Sequence, residues 1–200
     1  MQNLTRIAIL LIVSSSGLWY SYQIIFKKVK PVLSTWLIML VGASLSLFTY
    51  LSASNWNLKS NILNMADVVN LLIITMATLA VSRNKLMIRP FEKWYFLGMV
   101  IISLFWIFSK DPFISNLLIQ GLIWVGYFPT IHKLITEKSN TESFLTWGGV
   151  LLAGLLALIP ASDNLLSLIY AGRTVIMVSI ILSLMLQYKA TNVKQITDYK

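Results

Sequence analysis

The chain has 200 residues, of which 57% are hydrophobic and only 12% charged, with a mean hydropathy of +0.75. A soluble domain carries about a quarter charged residues, so an ordinary soluble fold is excluded. The net charge of +9 brings no aromatic-interleaved basic patch with it, which argues against nucleic acid, and the absence of cysteine excludes disulfides, thiolate catalysis and cysteine-held metals.

Seven apolar segments follow one another. The first, Leu4–Phe26, lacks a basic lead and a small-residue cleavage site, and its basic cluster comes after it. It reads as a retained helix rather than a cleaved signal. Lys27, Lys28, Lys30 and Pro31 separate it from Val32–Ala53. A polar stretch, Ser52–Ser60, leads to Ile62–Val81. Arg83, Lys85, Arg89 and Lys93 precede the fourth segment, Trp94–Phe108, and Lys110-Asp111-Pro112 precede the fifth, Ile114–Ile131. Lys133, Lys138 and the polar run to Ser143 lead to Phe144–Ile159, and Pro160–Asn164 to the seventh, Leu165–Leu186. A spanning helix needs roughly 20 apolar residues, so seven spans consume almost the whole chain; the fourth and sixth are short for a span. Trp19, Trp36, Trp94 and Trp147 fall near segment ends and read as interfacial anchors.

The basic residues alternate between gaps. Twelve lie after the first, third, fifth and seventh segments. Arg6, Lys59 and Lys110 lie on the other side, and Arg173 lies within a segment. Positively charged loops stay cytoplasmic, which predicts an N-terminus outside and a C-terminus inside, in the inner membrane if the source is bacterial. The bilayer, with its anionic lipid heads, is then the partner that the positive charge implies.

A repeat is visible. Gly17-Leu-Trp-Tyr-Ser-Tyr-Gln23, Thr35-Trp36, Asn61 and Asp67-Val-Val-Asn70 parallel Gly126-Tyr-Phe-Pro-Thr130, Thr146-Trp147, Asn164 and Tyr170-Ala-Gly-Arg173. Two three-helix units share one direction only if an odd number of helices joins them, and the fourth segment supplies it. The expected fold is all-α and integral to the membrane: seven transmembrane helices, as two parallel three-helix bundles joined by a linker helix, with a solute site at their interface. The expected boundaries are 1–83 for the first repeat, 84–111 for the linker, 112–189 for the second repeat and 190–200 for a polar cytoplasmic tail.

This pattern resembles the PQ-loop/SWEET superfamily of seven-helix membrane proteins. Gly126-Tyr-Phe-Pro-Thr130-Ile-His-Lys133, the loop Glu137–Ser143 and Trp147 carry the resemblance. Pro129-Thr130 stands where that superfamily has Pro-Gln, and Tyr22-Gln23 keeps the Gln without the Pro. The resemblance implies two bundles rocking about a central site, with hinge positions at Pro129 and Gln23. It also implies that Asn70 and Arg173 face each other across the substrate site, with Asp67 and Tyr170 one turn further out. Superfamily members include sugar, amino-acid and vitamin-precursor transporters as well as sorting receptors, so fold transfers better than substrate.

From the residues alone, Asp67 and Arg173 are ionisable groups within apolar segments, a costly placement that marks functional candidates. Asn64, Asp67 and Asn70 share a helical face by their three-residue spacing, as do Tyr170 and Arg173. An ion pair or water-bridged pair between Asp67 and Arg173 is expected, either contacting a solute or holding the repeats together. Ser14, Ser15, Ser16, Asn116 and Gln120 are weaker lining candidates, and Trp124 could stack on a solute ring. His132, the sole histidine, sits at an interfacial position beside Lys133. Gly121, Gly126, Gly148, Gly149 and Gly154 read as close-packing positions. The expected function is a facilitative or proton-coupled transporter for a small polar solute. The alternative is a non-transporting receptor or scaffold on the same fold. No metal site, cofactor motif or nucleophile–base set is read, so no enzyme is expected.

Overall fold

The computed structural model describes residues 2–81 and 90–197. Arg83, Lys85, Arg89, Lys200 and the expected boundary at 83/84 lie outside the described residues. Among those described there are eight helices and no strand. They are α1 (Gln2–Ile25), α2 (Leu33–Ala53), α3 (Ile62–Val81), α4 (Pro90–Ser109), α5 (Pro112–Gly126), α6 (Phe128–Glu137), α7 (Phe144–Ala161) and α8 (Leu165–Thr197). Six stretches are long and apolar enough to cross a bilayer: α1, α2, α3, Pro112–Glu137 spanning α5 and α6, α7, and Leu165–Tyr188 of α8. The apolar part of α4, Phe96–Ser109, is shorter.

Local chemistry places the ends. Asp111 caps α5 by accepting the Ile114 N–H at 3.0 Å, with Pro112 pre-set for the first turn. Ser143 caps α7 through the Thr146 N–H, and Asn164 caps α8 through the Ser167 N–H at 3.1 Å. Lys27 closes α1 in the left-handed region at φ 55, while the Lys28 N–H reaches back to the Gln23 carbonyl at 2.8 Å. The fifth apolar segment is broken at Tyr127. Pro129 has no N–H for the Val125 carbonyl and its ring crowds that turn, so α5 stops at Gly126 and α6 restarts at Phe128. α1 has no proline and runs unbroken through Gln23. α8 continues beyond the expected apolar end at Leu186, because Gln187–Thr197 contains neither Pro nor Gly to stop it.

Helix α1 packs on α3 and α7, α2 on α3 and α5, and α8 on α7, α5 and α6. These contacts close a ring in the order α1, α3, α2, α5/α6, α8, α7. α4 stands outside it, against α5 and α2. The ring hides polar residues and shows apolar ones. Thr35, Ser46, Asn64, Asn70, Asn116, Gln120 and Arg173 are buried, while Leu4, Leu11, Ile25, Val69, Met76, Leu118 and Leu186 are exposed. That inversion suits hydrocarbon and not water, and with the six spans it makes the chain an integral membrane protein.

Small residues set some of the closest approaches. A Cβ on Gly126 would lie 2.8 Å from Ile38 Cγ2, one on Gly154 3.1 Å from Val175 Cγ2, and one on Gly149 would collide with Ser16 Oγ. Gly121 and Gly148 have open space where a Cβ would go, so the close-packing expectation fails for those two. The aromatic-anchor expectation fails for Trp36 and Trp147. They are 5% and 2% exposed and stack on each other in the core, centroids 5.8 Å apart.

Candidate functional site

A cavity of about 40 Å³ lies at the centre of the ring, room for two or three waters. The four residues that the resemblance puts at a substrate site line it: Asp67 and Asn70 from α3, Tyr170 and Arg173 from α8. Trp36 of α2 and Trp147 of α7 border it, the two tryptophans of the Thr-Trp repeat. Tyr127, at the helix break, also reaches the lining.

The four site residues make different contacts. The Tyr170 hydroxyl donates to Asp67 Oδ2 at 2.9 Å and so joins α8 to α3. Arg173 lies with its guanidinium carbon 4.5 Å from the Tyr170 ring centroid and 6.0 Å from that of Tyr127. Both are cation–π distances, and such contact fixes the charge by its face. Its Nε and Nη1 have no hydrogen-bond partner, although the side chain is buried. Asn70 turns its amide oxygen onto Gly17 of α1, where only the missing Cβ leaves room. The expected direct ion pair is absent: among the described residues the one salt bridge is Lys133–Glu142. Tyr170 takes the Asp67 carboxylate and Arg173 stacks on the same ring, so a single tyrosine separates the two charges.

The end of the ring that carries Lys27, Lys28, Lys30, Lys133 and Lys138 is closed by a polar clasp. Glu142, 6% exposed, folds inward from the loop between α6 and α7, with its own N–H held by Asn140 Oδ1 at 2.9 Å. Its Oε2 accepts from the Tyr20 hydroxyl of α1 at 2.5 Å and from Trp147 Nε1 at 3.3 Å. Its Oε1 lies 3.7 Å from Lys133 Nζ, which also donates to the Lys30 carbonyl. The Lys30 N–H donates to the Thr141 carbonyl at 3.1 Å, and the Thr35 and Thr130 hydroxyls meet at 3.0 Å. Four of these contacts, Tyr20–Glu142, Lys133–Lys30, Lys30–Thr141 and Thr35–Thr130, join residues before 54 to residues after 126. Burial pushes the Glu142 carboxyl above the ordinary glutamate value, and its bonds to Tyr20, Lys133 and Trp147 offset only part of that.

A second polar cluster lies between α2, α3 and α5, outside the cavity lining. Asn116 Nδ2 donates to the Ser46 carbonyl at 2.7 Å and to Thr49 Oγ1 at 2.9 Å, and Gln120 Nε2 donates to Ser46 Oγ at 2.7 Å. Asn64 completes it, its oxygen accepting from Ser46 Oγ and its nitrogen donating to the Ala43 carbonyl, both at 3.1 Å. Asn64 therefore does not act with Asp67 and Asn70, despite the three-residue spacing. Asn116 and Gln120 are ties between helices rather than lining groups.

The remaining expected positions scatter. Pro129 is buried at the start of α6, and the Gln23 side chain is half-buried near the end of α1. Ser15 bonds its own helix at the Leu11 carbonyl, 2.7 Å. Ser15 and Ser16 border a lateral groove between α1 and α7, not the central cavity. His132 is exposed, and Trp124 is 38% exposed on the outer face. The sequence reading missed Tyr20, Tyr127 and Glu142. Glu142 carried no distinct signal, being one of two acids with Glu137 in the loop Glu137–Ser143, whereas the paired Thr-Trp positions pointed to Trp36 and Trp147. Comparison with models of known protein families, with curated proteins and with solved structures finds no match to this chain.

Proposed function

We propose that the protein is a membrane transporter for a small polar solute, working by alternating access between residues 1–83 and 112–189. The observation that carries this reading is the central cavity, to which α2 and α3 contribute from one half and α5, α7 and α8 from the other. Buried polar groups without partners line it, in a molecule that otherwise faces outward with hydrocarbon. Transporter sites sit at such repeat interfaces near mid-membrane.

The packing pattern supports the two-unit reading. Exchanging α1 with α5/α6, α2 with α7 and α3 with α8 maps the ring of neighbours onto itself. With α4 as the joining helix, this supports a 3+1+3 arrangement like that of the PQ-loop/SWEET superfamily, and the bias of basic residues supports an N-terminus outside. The basic end, closed by the Glu142 clasp, is then cytoplasmic. The break at Tyr127 supplies a position where the second unit bends, as a rocking motion requires.

The test is flux into proteoliposomes across a panel of small labelled solutes, with and without a pH gradient, beside Arg173→Ala. Flux of one solute class that the substitution abolishes supports transport through this cavity. Absence of flux for every class from folded protein would move the assignment to a receptor or scaffold on the same fold.

A further inference from the structure

We infer that the cavity takes its solute by a carboxylate, with Arg173 as the anchoring group; this deepens the transport reading and rests on it. Arg173 is 3% exposed, and among the described residues no carboxylate lies within salt-bridge distance of it. A buried guanidinium without an anion in salt-bridge contact is costly. The structure relieves little of that cost with hydrogen bonds: Tyr127 is a side-chain partner, but Nε and Nη1 have none. It relieves it with aromatic faces, from Tyr170 and Tyr127. Stacking uses the flat face of a guanidinium and leaves its in-plane N–H groups free. Those are the groups that bind a carboxylate, in the plane and often in pairs.

The neighbours agree. Asp67 is near enough to interact electrostatically with Arg173, but its Oδ2 is taken by the Tyr170 hydroxyl and the two make no salt bridge. Asn70 lines the same cavity with its amide oxygen turned onto Gly17. The free donors that mark the site are Arg173 Nε and Nη1. A phosphate fits less well, because it brings more negative charge to a site with one cation and one nearby carboxylate. At about 40 Å³ the cavity, in this arrangement, has room for a carboxylate group and little more, and is too small for a hexose.

Matched pairs test this in two readouts. Acetate, propionate, lactate and alanine would be compared with acetamide, propionamide, lactamide and alaninamide, with glucose as a neutral control. Binding would be measured by calorimetry on purified protein and flux in proteoliposomes. At least one acid should bind tenfold or more tighter than its amide. Arg173→Gln should bring acid and amide to the same weak affinity, and Arg173→Lys should keep part of the preference. Amides or glucose binding as well as the acids, no acid binding at all, or an unchanged preference in Arg173→Gln would each overturn the inference. Acid binding without flux would uphold the inference and overturn transport. Flux of glucose alone would do the reverse. Alanine binding ahead of propionate and lactate would uphold it and add an amine contact to Asp67.

Discussion

Two buried polar clusters lie in this ring, and they differ in one respect. The group around Ser46, Thr49, Asn64, Asn116 and Gln120 spends its amide N–H donors within α2, α3 and α5 and ties them together, leaving only an acceptor, Gln120 Oε1, unpartnered. The group around the cavity leaves Arg173 Nε and Nη1 and Asn70 Oδ1 unpartnered. Burial and polarity are common to both, so neither distinguishes a site from a brace. Satisfaction does: a closed network stabilises and has little left to offer a ligand, whereas free donors in a cavity are available for binding.

That contrast sets the order of expected effects. Arg173→Met should reduce flux by about a hundredfold, the loss of hydrogen bonds to a charged group worth roughly 1.5–3 kcal/mol. Its melting temperature should hold or rise, because an unpaired buried charge is replaced by apolar volume. A lower melting temperature with flux intact would make Arg173 a brace and erase the contrast. Gly17→Ala comes next. The new methyl collides with the Asn70 amide and must displace it, for a loss of about tenfold in flux. Asn116→Ala should show the opposite signature, a stability loss of about 1–3 kcal/mol by chemical denaturation with solute preference unchanged. A changed preference there would show that the two clusters act as one.

The smallest effect belongs to the clasp. The folded protein holds a proton on Glu142 more tightly than the unfolded chain does, since burial raises its carboxyl. Its contribution is therefore complete below the ordinary glutamate value and declines as pH rises through the raised one. Glu142→Gln keeps an acceptor for Tyr20 and removes the titration, so its melting temperature should vary less with pH. Coincident wild-type and variant profiles from acid to neutral pH would remove Glu142 from the pH response.

Much of this was legible from residue order. Hydrophobic runs locate most helix ends to within a few residues, and Ile62–Val81 is the same in sequence and structure, but they miss the break at Tyr127 and the end of α8 at Thr197. The Asp67-x-x-Asn70 and Tyr170-x-x-Arg173 pairs led to the four residues that share the cavity. The partners within it were not legible. Charge alone suggests Asp67 with Arg173, and the geometry inserts Tyr170, because a tyrosine can donate from its hydroxyl to a carboxylate and hold a cation on its ring face. Asn64 misled for a related reason. Three-residue spacing drifts by about sixty degrees per step, enough over two steps to turn a side chain toward a different neighbour. Trp36 and Trp147 misled because position near a helix end predicts an anchor only when that end lies outside the bundle.

The clasp has a consequence for any solute measurement. In the transport reading, the closed basic end is one of two arrangements, and the cavity described here exists only in the fraction of molecules that adopt it. Apparent affinity is the intrinsic affinity scaled by that fraction. In that reading Tyr20, at the clasp, helps set the concentration at which the protein responds, even though it is not among the residues that border the cavity.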